Sequence, residues 1–209
     1  MSTNDNPTTT RLIVTDYFNW RLRNLPIRNN RLLIIVQKIA SDCETSYYSQ
    51  QPINLPIRNN RLLIIVQKIA SDCETSYYSQ QPMFNFHFSS LSLFELRSFH
   101  YETVNEFFND GIVTWGRVIT FIVFSAILTE RVIQQQQHNR DLIISSMIDW
   151  TTNFLDIDLH LWFESQNYWD GCLKIYDKNP QRRNSYSRVV SILTTIGMLT
   201  LGALYIKRI

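Results

Sequence analysis

Apolar positions recur at helical spacing along most of the chain. In 11–23, Ile13, Val14, Tyr17, Phe18 and Leu22 fall towards one side, with Arg11, Thr15, Asn19 and Arg23 towards the other. That is the two-faced pattern of a helix laid on a core. A second stripe carries Leu62, Val66, Ile69 and Cys73. Residues 83–100, rich in phenylalanine and serine, predict a turn and a short helix. Residues 101–109 predict another short amphipathic helix, stopped by the turn pair Asp110-Gly111. Thr114 can then N-cap a helix running from Trp115 to about Ile133. Its middle, "VITFIVFSAIL" (118–128), is apolar all round. That suits a central helix wrapped by others, and it is too short to span a bilayer. A polar connector (134–141) leads to a helix over 142–155 and short segments around 159–165 and 168–177. Strand-like alternation is scarce. The fold class is therefore all-α, a helical bundle around one buried helix, spanning 11–178 after a polar, disordered stretch 1–10.

Two segments stand outside this pattern. Residues 24–52 recur letter for letter at 54–82, a period of 30. Solenoids need three or more copies, and diverged ones. Two identical copies point instead to a recent duplication, of an exon for instance, or to a stretch read twice. The second copy adjoins the rest of the bundle and takes the helical role. The first, with Leu32, Val36, Ile39 and Cys43 on the matching stripe, becomes an extra segment (24–53) after the first helix. The other outlier is "VVSILTTIGMLTLGALYI" (189–206), 18 residues without a charge, bracketed by Arg182, Arg183 and Arg188 and by Lys207-Arg208. It reads as a transmembrane tail anchor after a linker (179–188), leaving 1–188 in the cytosol. The alternative is a buried terminal helix, which rarely lacks a polar face in so small a domain.

Composition narrows the function. A chain of 209 residues that is 44% apolar can build a sizeable core. A net charge of +2 without a basic run gives no reason to invoke nucleic acid. Three cysteines are too few and too uneven for a disulfide framework, which suits a reducing compartment. The polar start "MSTNDNPTTT" has no secretory signal. His87, His100, His138 and His160 lack metal-ligand spacing, so no metal or other cofactor is expected. No phosphate loop or nucleophile elbow appears. Cys172 reads as a packed thiol, and Asp156 and Asp158 as a helix exit. An enzyme is not expected. One residue is out of place: Arg117, in the first turn of the apolar helix, costs free energy there unless it has a partner.

Thr114-Trp115-Gly116-Arg117 resembles the core of the first homology region of the Bcl-2 family of apoptosis regulators, with threonine in place of the family's asparagine and one extra residue after Gly111. "WFESQNYWDGCLKIY" (162–176), centred on Trp169-Asp170-Gly171, resembles the second region. "TDYFNWRL" (15–22), built on Asp16, Tyr17 and Leu22, resembles the fourth. The third region fits least. Leu62, Val66, Ile69 and Cys73 fill its apolar slots and Ala70 the small one, but Ser71 takes the aspartate slot and Asp72 comes one place late. The ordered set covers most of the chain, and the tail anchor is also typical of the family.

The resemblance implies an apolar groove that takes an amphipathic third-region helix, with Arg117 pairing with that helix's aspartate. Val104, Phe107, Phe108, Thr120, Phe121 and Phe124 would line or underpin this groove, with Tyr176 near its end. The alternative partner for Arg117 is a carboxylate of the bundle itself. The implied role is a pro-survival guardian that sequesters pro-death relatives, alone or in homo- or heterodimers, at the outer mitochondrial or endoplasmic-reticulum membrane. The runner-up is a pore-forming, pro-death effector. The misplaced Asp72 disfavours the second. A further option is that the first repeat, placed in the loop after the first helix, occupies the groove in cis.

Overall fold

The computed structural model describes residues 7–23, 57–79, 88, 91–136 and 139–177. Helix α1 spans Pro7–Arg23, α2 Ile57–Ser79, α3 Leu93–Phe108 and α4 Trp115–Gln135. Helix α5 spans Arg140–Asn153 and runs into a π-helical turn, Phe154–Asp158, followed by α6 (His160–Ser165) and α7 (Trp169–Asp177). The all-α bundle is thus as read. The first repeat and the expected anchor at 189–206 lie outside the described residues. Among the described residues, no helix is long and apolar enough to cross a membrane.

Helix α4 is the axis, with α1, α2, α3 and α5 packed round it. Its length leaves only Arg117, Arg131, Gln134 and Gln135 unburied. The polar residues on so buried a helix are satisfied from within. Thr120 donates to the carbonyl of Gly116 (2.8 Å), Ser125 to Phe121 (3.0 Å) and Thr129 to Ser125 (2.7 Å). Each hydroxyl bonds one turn back along its own helix, so its burial costs little. Thr114 caps the helix through its side chain, which accepts from the Arg117 N–H, as expected from the sequence.

Three boundaries differ from the sequence reading. Helix α1 begins at Pro7, so the last four residues of the stretch expected to be disordered are helical. A proline in a first turn lacks only an N–H that has no helical partner there. The two short elements expected over 83–109 form one helix, α3, from Leu93. Ser92 and Glu95 start it with a reciprocal capping box. Residues 154–158 widen into a π turn, in which Leu159 N–H reaches the Phe154 carbonyl at 3.2 Å. Asp156 and Asp158, read as a helix exit, lie in or at the end of that turn.

Candidate functional site

Helices α2 and α3 both pack on α4 but make at most glancing contact with each other. The strip of α4 between them carries Arg117, Thr120 and Phe124, three to four residues apart and so on one face. Thr120 Oγ1 meets Cys73 Sγ of α2 at 3.8 Å. The Phe124 ring meets Phe107 of α3 with centroids 5.7 Å apart. This strip thus lies between α2 and α3 and touches both, with Thr120 and Phe124 buried. Phe108 turns elsewhere: its ring packs on Phe121 (6.3 Å) and on Phe154 of the π turn (5.5 Å), and Phe121 packs on Phe154 too (5.3 Å). Phe121 and Val104 are buried in the core behind this strip. Tyr176 is buried on α7, which packs on α2.

Arg117 has internal partners. Its Nη1 donates to Asp110 Oδ1 (2.5 Å) and to the carbonyls of Ile112 (3.0 Å) and Phe107 (3.2 Å). Its Nη2 donates to Asp110 Oδ2 (2.7 Å). The Phe107 carbonyl lies in the last turn of α3, where a cation is favourable. Asp110 also accepts from the Ile112 N–H at 3.0 Å. The hydrogen bonds from Arg117 and Ile112 hold its carboxyl down at about 2. Gly111, at φ +70°, reverses the chain between them.

The motif tryptophans meet in one aromatic cluster. Trp115 packs on Trp162 (4.9 Å), Trp169 (5.1 Å) and Phe163 (5.3 Å). Trp169 also donates its indole N–H to Thr10 Oγ1 of α1 (3.1 Å), tying α7 to α1. A Cβ on Gly171 would lie 2.3 Å from the Gln166 carbonyl oxygen, which explains the glycine. The side chain of Asn167 reaches Asp170 at 3.4 Å.

A second polar cluster joins three helices. Arg21 of α1 lies between Glu74 of α2 (2.8 Å) and Glu130 of α4. Tyr17 donates its hydroxyl to the same Glu74 (2.6 Å). All three charged side chains are largely buried. Burial and the Glu74 carboxylate both push the Tyr17 phenol well above its ordinary range. Leu22 is buried on the same helix, whereas Asp16 is half-buried and its carboxyl is raised by lost hydration, with Arg23 pulling the other way.

On α2, Leu62, Val66, Ile69, Ala70 and Cys73 face the core, while Ser71 and Asp72 are exposed. Burial pushes the Cys73 thiol up to about 12. Sequence reasoning missed Asp110, Arg21, Glu74 and Glu130. Asp110 was visible only as a turn former. Its spacing of seven from Arg117, across a glycine, was the available signal.

The sequence profile described as apoptosis regulator proteins, Bcl-2 family, matches residues 65–169. The chain is 25% identical to the chicken (Gallus gallus) apoptosis regulator Bcl-2 over 100 residues, 48% of this chain and 41% of that one. It is 32% identical to the canarypox virus Bcl-2 homologue over 111 residues, 51% and 58% of the two chains. Cattle (Bos taurus) BAX is 29% identical over 80 residues, 38% and 40% of the two. The chain spans about half the length of the curated relatives it matches. Among solved structures, Trichoplax adhaerens trBcl-2L2 bound to trBak BH3 shares the fold, with a TM-score of 0.57, 19% identity, and coverage of 81% of this chain and 98% of that one.

Proposed function

The chain belongs to the Bcl-2 family of apoptosis regulator proteins, which are non-enzymatic, and from that premise we propose that it is a pro-survival member that captures third-region (BH3) helices in the groove between α2 and α3. The observation that carries the reading is the α4 strip of Arg117, Thr120 and Phe124 between two helices that scarcely touch. An amphipathic helix fits such a site: apolar side chains enter the floor, and one carboxylate meets Arg117 to fix register. The related Trichoplax protein, solved with a BH3 segment bound, supports that class of ligand. Thr120 and Phe124 form the floor beside Phe107; Val104 and Phe121 lie behind it, Phe108 braces Phe121 from the π-turn side, and Tyr176 sits on the neighbouring α7. The motif residues of α1, α4 and α7 hold the frame. The guardian works at the outer mitochondrial membrane, held there by the 189–206 segment.

Two features favour the guardian over the effector. The apolar face of α2 is spent in the core, and the Arg21–Glu74 and Tyr17–Glu74 contacts tie α2 to α1. Helix α2 also presents Asp72 one position late for use as a death ligand. The effector reading draws its support from the similarity to BAX.

Calorimetric titration with third-region peptides tests the groove. Arg117→Glu is expected to weaken binding by about 2–5 kcal/mol, as for a desolvated charge pair reversed, while thermal unfolding confirms that the variant folds. Unchanged affinity would remove Arg117 from the site. Leakage of dye from cardiolipin-containing vesicles separates the roles, since a guardian suppresses leakage driven by a pro-death relative and an effector causes it.

A further inference from the structure

A guanidinium has two edges that can take a carboxylate side by side: the end edge, Nη1 with Nη2, and the side edge, Nε with Nη2. In this protein Asp110 fills the end edge with both oxygens, at 2.5 and 2.7 Å. The two Nη1 hydrogens are further shared with the carbonyls of Ile112 and Phe107. Among the described residues, nothing accepts from the Nε–H or from the second Nη2 hydrogen. The side edge is open, and the side chain as a whole retains 14% exposure.

Resting on the groove reading above, we infer that Asp110 is a positioning residue: it clamps Arg117 by the end edge so that the side edge meets the carboxylate of an incoming helix. The opposite arrangement, in which the ligand's carboxylate expels Asp110, would break two charge-assisted bonds and disturb two carbonyl contacts. Docking on the side edge breaks none. Asp110 is itself fixed in the turn by the Ile112 N–H. The turn therefore holds the carboxylate, the carboxylate holds the guanidinium, and a long, flexible side chain is ordered before the ligand arrives. Ordering in advance lowers the entropy lost on binding. The reach of the clamp depends on the seven-residue spacing and on Gly111, whose positive φ turns Asp110 back towards the start of α4.

The test is a double-mutant cycle on the full chain in detergent micelles. One probe is a synthetic amphipathic peptide with four apolar residues at helical spacing and an aspartate before the last. The other is the same peptide with asparagine in that place. Asp110→Asn keeps the size of the side chain but turns an amide N–H towards Arg117, which unlocks it. The expected result is about fivefold weaker binding of the aspartate peptide and a change within about twofold for the asparagine peptide. Tighter binding of the aspartate peptide would make Asp110 a competitor, and equal losses for both peptides would make it a mere turn residue. Either result, or no change, overturns the inference. A wild-type chain that binds neither peptide overturns the groove reading, and this inference with it. The clamp alone is read without ligand from the Arg117 side-chain nitrogen resonances. Slow rotation of the guanidinium in the wild type, made fast by Asp110→Asn, is expected; fast rotation in both would show that no clamp exists.

Discussion

His100 sits on α3 with its ring fully buried, beside Phe121 and Trp150 and hydrogen-bonded to Ser125 Oγ at 2.9 Å. Loss of hydration lowers its pKa from 6.5 to about 3. The unfolded chain therefore takes up a proton near pH 6.5 that the folded chain refuses until about pH 3. Between those values the unfolded state binds more protons, so stability falls as pH falls. Denaturant unfolding of the wild type should lose about 2 kcal/mol from this residue between pH 7.5 and 5, and His100→Gln should flatten that slope. Gly171→Ala should cost about 1–3 kcal/mol in the same measurement, because its methyl meets a backbone carbonyl and not a pliable side chain. At this scale the sequence was an uneven guide. Arg117 announced itself as an arginine beside an apolar run, and a bundle carboxylate was one of its two foreseen partners. That this carboxylate is Asp110 depends on the path of a turn, which no local pattern encodes. Nor could His100 be told from an exposed histidine without knowing which face of α3 is buried.

Helix α1 is joined to the bundle by more than its apolar stripe. Arg21 faces two carboxylates from two other helices, Glu74 and Glu130, in a setting largely removed from water. Arg21→Ala leaves both carboxylates without their cation and should destabilise the fold by about 3–5 kcal/mol, measured by chemical unfolding. Adding Glu74→Gln to that variant should recover part of the loss; no recovery would mean that packing, not charge, dominates. Amphipathic stripes made α1 and α2 legible as elements, because each buries a continuous face, and an all-round apolar run did the same for α4. The unity of α3 was also written in the chain, in the Ser92-to-Glu95 capping box. Serines upstream of it masked the signal by suggesting a turn. The π turn at 154–158 was not legible, since its extra residue is set by how Phe154 and Leu155 seat against the core.

For the molecule as a whole, every described helix of the bundle comes from outside residues 24–53. Deleting those residues should leave a cooperatively unfolding protein, but α2 should shorten. Glu74 lies beside Arg21, and Ile57 is about 25 Å further along α2 at the helical rise. The chain left between Arg23 and Ile57 would reach only about 14 Å. The first turn of α2 should therefore unwind, while Leu62, the first core residue of the stripe, stays packed. Circular dichroism and thermal unfolding of the deletion check both halves of the statement; loss of cooperativity would make the first repeat structural. The bundle architecture and the motif order were readable from periodicity and resemblance. The near-absence of contact between α2 and α3 was not, because it depends on how helices apart in sequence settle on α4.

The packing of α2 bears on time as well as on shape. Leu62, Ile65, Val66, Ile69, Ala70 and Cys73 are each fitted into the core, so their codons can change only where the amino acid survives. Residues 24–52 carry the same amino acids from a second set of codons. Copies of a gene segment drift apart with time, yet these have not parted at a single amino acid. The silent positions of the gene keep the finer count. Genomic DNA across residues 20–90, compared codon by codon between the two copies, would date the doubling by the synonymous differences that the protein does not feel.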